Sequence, residues 1–178
     1  MNVRGSGTEH HDALTGLLNA EGLQLLASQM IARAARDEEH ISLLCLRIAR
    51  ASASETPADA GETPAHADAT GNTTTELLGG LSHLLRTNLR ASDVVARTGP
   101  DELVALLPDT NAEQLAALGD QLASVAQREG LLPDDATEVE VEVEVGTSTF
   151  EPSIRSGDLS AMLDEARLSI SLVGQRWS

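Results

Sequence analysis

One segment, Thr137–Val145, specifies a strand more strictly than any other part of the chain. Its nine residues read TEVEVEVEV, an unbroken alternation of a β-branched residue with glutamate. Because successive side chains of a strand point to opposite faces of a sheet, the valines share one face and the glutamates share the other. Like charges on one face repel each other, so we predict a strand whose glutamate face is in contact with water.

The rest of the chain alternates between helical and strand patterns. Apolar residues recur every three or four positions in four segments, which predicts helices over residues 21–36, 75–89, 110–129 and about 158–173. Short apolar runs predict three more strands over residues 40–48, 93–97 and 102–107. A four-residue gap containing glycine separates the last two strands, which is typical of a β-hairpin. This order predicts an α/β fold, in which helices flank a mixed sheet.

Two local details belong to these helix predictions. The apolar face of the first helix is expected to consist of Leu23, Leu26, Met30 and Ala34. The third helix is expected to begin with a capping box, in which Thr110 is the N-cap and Glu113 closes back on it.

The length of 178 residues suits one domain, and two segments are predicted to lie outside its packed part. Residues 1–10 are rich in glycine and polar residues and are expected to form a flexible lead-in, so the domain covers residues 11–178. Residues at about 50–73 are small, polar or acidic, without one large apolar side chain. Such a segment buries too little surface to offset the entropy of ordering it, which predicts a low-complexity insertion within the domain.

The charge of the chain excludes several classes of function. It contains 28 acidic residues against 12 arginines and no lysine, so its formal net charge is −16. An acidic surface repels polyphosphate, and Phe150 and Trp177 are the only aromatic residues, which argues against nucleic-acid binding. No apolar run is long enough to span a bilayer, so we expect no membrane contact by this segment. The single cysteine, Cys45, excludes a disulfide framework and favours the cytosol.

Three stretches resemble the GGDEF domain, the family of diguanylate cyclases. Asp12–Asn19 (DALTGLLN) is similar to the family's opening D-x-L-T-G-L-x-N-R. Leu84–Thr110 resembles its helix, strand, signature hairpin and following strand, and Val143–Gly146 resembles its closing strand. The resemblance implies a palm-like mixed sheet flanked by helices, as in nucleotide cyclases. It also implies an activity that joins two GTP molecules into cyclic di-GMP, with Mg²⁺ as the cofactor of an active domain and with each half-site supplied by one domain of a pair.

The signature hairpin of that family is present here only in vestigial form, as Gly99, Pro100, Asp101, Glu102 and Leu103. By resemblance, Asp101 retains the metal-site acid and Glu102 retains the position that contacts guanine. Pro100 replaces the second glycine, and its ring lies where the backbone should approach the nucleotide.

Other features that the reaction needs are missing. By resemblance, the metal aspartates of the first strand correspond to Arg47 and Ala49, and an arginine repels a metal cation. Residues 50–73 stand in place of the segments that supply lysine and guanine contacts, and the chain has no lysine to neutralise a triphosphate. We therefore predict an inactive domain with no catalytic residue set intact, no metal site and no cofactor.

One functional motif of the family is retained. Arg90-Ala-Ser-Asp93 stands where the family's inhibitory site carries R-x-x-D, so the resemblance implies that Arg90 and Asp93 bind cyclic di-GMP. A planar guanidinium suits this role because it makes paired hydrogen bonds to phosphate or guanine. The alternative is structural: Arg90 ends a helix favourably and Asp93 starts a strand. Arg97, before the hairpin, is expected to pair with a nearby acid.

Three hypotheses for function follow from these residues. The first is a degenerate GGDEF domain that acts as a regulatory or sensor module and binds cyclic di-GMP. The second is a scaffold for dimerisation or for other signalling domains and proteins, with no nucleotide ligand. The third is an active cyclase with unusual metal ligands. Binding of cyclic di-GMP, binding of no nucleotide, and turnover of GTP distinguish the three.

Overall fold

A computed structural model describes residues 9–50, 67–132, 141–151, 158–173 and 176–177 of the chain. Within these ranges it contains four helices: α1 (Ala20–Asp37), α2 (Ala67–Asn88), α3 (Ala112–Arg128) and α4 (Leu159–Val173). The strands are β1 (Leu18–Asn19), β2 (Ile41–Arg50), β3 (Val94–Arg97), β4 (Glu102–Pro108), β5 (Val141–Phe150) and β6 (Arg176–Trp177). The predicted order of helices and longer strands is confirmed.

The strands form one mixed sheet in the order β1-β3-β4-β2-β5-β6. β1 runs parallel to β3, and the other neighbouring pairs are antiparallel. β3 and β4 form the predicted hairpin, with Val94 opposite Leu106 and Arg97 opposite Leu103. The two longest strands, β2 and β5, pair along their whole length at the centre of the sheet. The α/β fold class, a palm-like sheet between helices, is therefore confirmed.

Helices cover both faces of the sheet, and each face has its own hydrophobic core. On one face, leucines of α2 and α3 pack against Leu44, Leu46 and Val145 of the central strands. On the other face, α1 and α4 cover Leu43 and Cys45. The alternation of side chains along β2 explains this division, because even-numbered leucines enter one core and odd-numbered residues enter the other.

The apolar face of α1 differs from the prediction. Its buried residues are Gly22, Leu23, Ala27, Ile31 and Ala34, whereas Leu26 is 41% exposed and Met30 is half-buried. The prediction followed the larger apolar side chains, but the helix lies close to the sheet and places its alanines there. Gly22 shows how close the packing is, since a Cβ on it would lie 2.6 Å from the His10 carbonyl oxygen.

The N-terminus of α3 also differs from the prediction, by one residue. The N-cap is Asn111, whose side-chain oxygen accepts from the Gln114 N–H at 2.9 Å, while the Gln114 side chain accepts from the Asn111 N–H at 2.9 Å. Thr110 is instead buried, and its carbonyl accepts from the Ser42 hydroxyl at 2.7 Å. Asn111 and Gln114 make the reciprocal hydrogen bonds that were predicted for Thr110 and Glu113. The sequence carries capping-box residues at both pairs of positions, so it does not by itself select between them.

Both ends of the predicted insertion at about 50–73 lie in regular secondary structure. β2 continues through Arg50 and α2 begins at Ala67, so the predicted boundary of the helix at Thr75 is wrong. Adding a turn to an existing helix needs only backbone hydrogen bonds, which do not require the apolar stripe that the prediction used. Residues 51–66 lie outside the described residues, as do residues 1–8 of the predicted lead-in. Residues 9 and 10 of that lead-in accept hydrogen bonds from Asn19 through their carbonyls, at 2.8 and 2.9 Å.

The glutamate face of β5 is not open to water in the way predicted. Residues 137–140 lie outside the described residues, and the strand extends beyond the alternation to Phe150. α4 packs on this face from Gly146 onward, and Glu144 is only 16% exposed because it pairs with Arg47. In the described part of the chain, none of the helices is long and apolar enough to cross a bilayer.

Candidate functional site

The hairpin turn between β3 and β4 is fixed to the sheet by three hydrogen bonds. The Thr98 N–H donates to the Glu102 carbonyl at 3.1 Å, and the Ile48 N–H of β2 donates to the Asp101 carbonyl at 2.9 Å. Arg97 donates from Nη2 to the Pro100 carbonyl at 2.7 Å. Pro100 fits this turn because a proline has a carbonyl but no N–H, and only its carbonyl is used. The turn residue Asp101 therefore lies beside β2.

A cavity of about 580 Å³ lies between this turn, β2 and β5. Its lining consists of Arg47, Ile48, Ala49, Thr74, Pro100, Asp101 and Glu144. The structure thus brings together the residues that the sequence analysis placed in a degenerate nucleotide site: the hairpin acid Asp101 and the β2 positions Arg47 and Ala49. Gly99 lies within the turn, and Leu103 on β4 is buried in the core, with 1% of its surface exposed.

Glu102 is not among the described residues that line this cavity. Its carboxylate accepts from Arg167 of α4 twice, from Nε to Oε2 at 3.1 Å and from Nη2 to Oε1 at 2.7 Å, and it also accepts from the Thr98 hydroxyl. The residue is 7% exposed. Burial alone would raise the pKa of Glu102, but the hydrogen bonds from Arg167 and Thr98 outweigh it and lower that pKa. Arg167 and Thr98 therefore supply three donors to the Glu102 carboxylate from within the protein.

Arg47 is the positive charge of the cavity. It is the cross-strand neighbour of Glu102 on β4 and of Glu144 on β5, so the three side chains form one row across the sheet. Arg47 donates from Nε and Nη2 to the same Glu144 oxygen, at 2.8 and 2.7 Å. Asp101 has no side-chain hydrogen bond or ion pair with the described part of the chain.

The residues of the cavity do not fit a divalent cation. Mg²⁺ requires several oxygen ligands in octahedral geometry, usually from carboxylates, phosphates and water. Asp101 is the one carboxylate of the cavity lining without a partner, because Arg47 already holds Glu144. The described residues contain no group of three or more His, Cys, Asp or Glu side chains that could hold a metal ion.

A second pocket, of about 270 Å³, lies beside Arg90 and Asp93. The other residues that line it come from the end of α2, from β4 and from one face of α3: Asn88, Leu89, Leu107, Thr110, Gln114, Ala117, Leu118 and Gln121. Arg90 and Asp93 form a tight turn, in which the Arg90 N–H donates to Asp93 Oδ2 at 2.7 Å and the Asp93 N–H donates to the Arg90 carbonyl at 3.0 Å. The Arg90 guanidinium is exposed and has no partner in the described part of the chain. The lining therefore mixes polar and apolar side chains, and among its described residues it has one cation, Arg90, and one acid, Asp93.

Arg97 pairs with an acid, as predicted. It donates from Nη1 to Asp12 Oδ2 at 3.0 Å, and the other oxygen of Asp12 accepts from the Thr15 N–H and hydroxyl at 2.8 and 2.7 Å. These bonds lower the pKa of Asp12, although its partial burial acts in the opposite direction. One arginine thus connects the opening turn of the chain with the hairpin turn.

The sequence analysis missed two residues of the site, Arg167 and the pairing role of Glu144. Arg167 lies on the polar side of an amphipathic helix, a position that periodicity treats as surface. The cross-strand register that joins Glu144 to Arg47 depends on residues far apart in the chain. Two unusual features could have indicated these pairs, because Arg47 within the apolar run of β2 requires an acidic partner and the buried Glu102 requires a cationic one.

The comparisons with known proteins agree with this architecture. Residues 67–170, more than half of the chain, match the family model described as diguanylate cyclase, GGDEF domain. A search of the curated proteins finds none that matches in sequence.

Solved structures of GGDEF domains are similar over nearly the whole chain. The domain of YfiN (TpbB) from Pseudomonas aeruginosa has a TM-score of 0.70 at 23% identity, covering 95% of this chain and 92% of that one. The domain of DgcB from Caulobacter crescentus has a TM-score of 0.69 at 16% identity, covering 97% and 93%. The FimX domain from Pseudomonas aeruginosa has a TM-score of 0.67 at 18% identity, covering 91% of each chain. At these identities the likeness establishes the fold.

Proposed function

Because this chain belongs to the GGDEF domain family, we propose that it is a catalytically degenerate member that binds cyclic di-GMP at Arg90 and Asp93 and acts as a regulatory or sensor module. The observation that carries the proposal is the Arg90 guanidinium, which is exposed beside a pocket and has no partner in the described part of the chain. In a protein with a net charge of −16, an unpaired arginine beside a pocket is a ready contact for an anionic ligand.

The chemistry of the pocket suits a guanine nucleotide. The planar fork of Arg90 can donate two hydrogen bonds to a phosphate or to a guanine edge. Asp93 keeps acceptor capacity beyond the bond from the Arg90 N–H, and a carboxylate can accept from the two adjacent donors of guanine. Gln121 and Gln114 of α3 add amide groups to the same lining. The turn that joins Arg90 to Asp93 holds the cation and the acid at a fixed spacing.

The cavity beside Asp101 supports loss of catalysis. An active half-site needs acids that hold cations and cations that face the triphosphate. Here Arg47 is paired with Glu144, and Arg167 and Thr98 hold Glu102 in the protein. Asp101 alone faces the cavity as a free acid, which is too few ligands for Mg²⁺. No cofactor is therefore part of the proposal.

The solved structures support the choice of ligand and partner classes. The DgcB domain was solved in complex with c-di-GMP, and another microbial GGDEF domain was solved in a different interaction mode with cyclic di-GMP. A diguanylate cyclase of Pseudomonas aeruginosa, SiaD, was solved with its activator protein SiaC. By analogy, we include other signalling proteins and a second copy of this chain among the partners.

The chain's single cysteine, Cys45, is free and buried, which supports a reducing compartment such as the cytosol.

A second candidate function is an interaction scaffold with no nucleotide ligand. The observation that favours it is the bond from the Arg90 N–H to Asp93, because this bond alone accounts for an acid at that position as a turn-forming residue. An active cyclase is the third candidate, and the unpaired carboxylate of Asp101 is the feature in its favour.

Calorimetric titration with cyclic di-GMP, GTP and GDP tests the three candidates. We expect cyclic di-GMP to bind and Arg90→Ala to reduce its affinity at least tenfold, which corresponds to about 1.4 kcal/mol. Arg86→Ala is the matched control, because it removes the same charge one helical turn away, from an exposed residue outside the pocket. Equal loss in both variants would contradict a specific site, and binding of no nucleotide would favour the scaffold. Formation of cyclic di-GMP from GTP with Mg²⁺ or Mn²⁺ would overturn the assignment as inactive.

A further inference from the structure

The row of charges across the sheet suggests a role for Arg47 beyond the loss of a metal ligand. Arg47 lies between Glu102 and Glu144 on neighbouring strands, and Asp101 lies in the same cavity. Glu102 is held by Arg167, so Arg47 is the only described cation of the cavity lining that can neutralise Glu144. The Glu144 side chain is 16% exposed and that of Arg47 is 36% exposed, so the carboxylate is mostly covered while the arginine keeps contact with water.

We propose that Arg47 is a built-in cation of this cavity: its guanidinium supplies the positive charge that a divalent ion would otherwise supply, so the folded domain is independent of divalent cations. The proposal deepens the proposed function and rests on it, because it explains how a GGDEF domain without metal ligands keeps the same acidic cavity stable.

The physical basis is the cost of a shielded carboxylate. A charged group removed from water must be paired or bound to a metal, otherwise it takes up a proton or opens the structure. Arginine keeps its charge at every physiological pH, and it cannot dissociate from the chain as a metal ion can. Both of its donors to Glu144 reach one oxygen, so one guanidinium places its positive charge directly against that carboxylate.

The same geometry predicts what happens when the arginine is removed. Arg47→Gln leaves Glu144 without its partner but adds no ligand for a metal. Arg47→Asp places a third carboxylate beside Glu144 and Asp101, which together resemble the oxygen-rich ligand sets that bind Mg²⁺ and Mn²⁺. A divalent cation should therefore restore to Arg47→Asp the stability that the arginine gives the natural chain.

Thermal unfolding with EDTA and with 10 mM MnCl₂ tests the proposal. We expect the melting temperature of the natural chain to differ by less than about 1 °C between the two conditions. Arg47→Gln and Arg47→Asp should each melt several degrees lower in EDTA, and Arg47→Asp alone should regain about 3–5 °C with MnCl₂. Arg167→Gln is the matched control, because it breaks the neighbouring pair of the row and leaves Arg47 in place. It should be destabilised without a response to Mn²⁺.

Stabilisation of the natural chain by Mn²⁺, or equal responses of Arg47→Asp and the control, would overturn the proposal. A measurement independent of the aspartate variant uses the double variant Arg47→Gln/Glu144→Gln, which removes the ion pair without changing the net charge of the row. It should melt above Arg47→Gln, and equal melting temperatures would contradict an electrostatic role. The proposed function is tested by different measurements, namely cyclic di-GMP binding and GTP turnover of the natural chain. Those measurements do not depend on the melting temperatures of the variants.

Discussion

Arg167 of α4 donates to both carboxylate oxygens of Glu102, at 3.1 and 2.7 Å, and this pair ties the hairpin to the helix that covers it. Glu102 is the first residue of β4 and follows directly after the turn residue Asp101. The two hydrogen bonds fix the direction of the Glu102 side chain and hold its carboxylate against α4. Glu102 therefore joins the hairpin to α4.

Arg167→Met should lower the free energy of unfolding by about 2 kcal/mol, because it removes both arginine hydrogen bonds to the buried Glu102 carboxylate. The hydrogen bond from the Thr98 hydroxyl to that carboxylate stays in place. The loss stays moderate because the arginine side chain is 42% exposed and water can replace part of its contact. Urea unfolding at pH 7 measures the change. Arg33→Met is a suitable control, since it breaks an exposed pair with Asp37 and should cost less than about 0.5 kcal/mol. Equal losses would contradict the special role of the Arg167 pair.

Stability should fall in acid, and Glu102 should account for part of the loss. The pKa of Glu102 is lower in the folded protein than its ordinary value of 4.5, despite burial, because Arg167 and Thr98 stabilise the carboxylate. The unfolded chain then takes up the proton first, so the stabilisation is present above pH 4.5 and is lost as the pH falls through the folded pKa. Asp12, whose ordinary value is 3.8, acts in the same direction. Urea unfolding between pH 7 and 3 checks this, and Glu102→Gln should be less stable at pH 7 with a flatter decline in acid.

How much of this structure could be predicted depends on the range of the interactions. The order of elements followed from local periodicity, because each amphipathic segment carries its own pattern. Leu26 shows where that pattern misleads: its apolar side chain suggested burial, but the helix turns its alanines to the sheet. Ala67 shows the opposite error, since a helix can begin where no apolar side chain marks it.

The site was harder to predict than the fold, for a physical reason. Resemblance placed Arg47, Ala49 and Asp101 together, and the structure brings them to one cavity. The charge partners come from distant parts of the chain: Glu144 lies 97 positions after Arg47, and Arg167 lies 65 positions after Glu102. Only the strand register and the docking of α4 bring these pairs into contact. Charge pairing over such separations leaves no local pattern in the sequence.

Gly146→Ala should destabilise the protein, because α4 packs directly on this position of β5. A Cβ at this position would overlap the Ala166 carbonyl oxygen and lie 2.7 Å from Ile170 Cγ1, so α4 would have to move away from β5. Overpacking of this kind costs about 3 kcal/mol. Gly119→Ala in α3 is the control, because nothing lies within 4 Å of its added Cβ and alanine favours a helix by about 0.5–1 kcal/mol. Thermal unfolding should move in opposite directions for the two variants, and a neutral Gly146→Ala would contradict the close packing.

Cys45 should resist thiol reagents in the folded protein. The residue is fully buried on β2, and burial together with the nearby charge of Glu102 raises the pKa of its thiol to about 12. Because the thiolate is the reactive form, almost none is present at pH 8, and the reagent cannot reach the sulfur. Reaction with Ellman's reagent should therefore follow the unfolding of the protein across a urea series. Fast labelling without urea would show that the core between α1 and α4 opens easily.

Asp12 and Arg97 should be energetically coupled, because one bond at 3.0 Å joins the opening turn to the strand that leads into the hairpin. The side chains are 20% and 18% exposed, so neither charge is well solvated without the other. Asp12→Asn and Arg97→Met should each cost about 2 kcal/mol, and the double variant should cost about 1 kcal/mol less than their sum. Urea unfolding of the four proteins measures the coupling. Arg97→Met also removes the donor to the Pro100 carbonyl, so it should loosen the hairpin turn and increase hydrogen exchange at the Ile48 N–H, whereas Asp12→Asn should not. Additive losses, or equal exchange in both single variants, would contradict this path between the two turns.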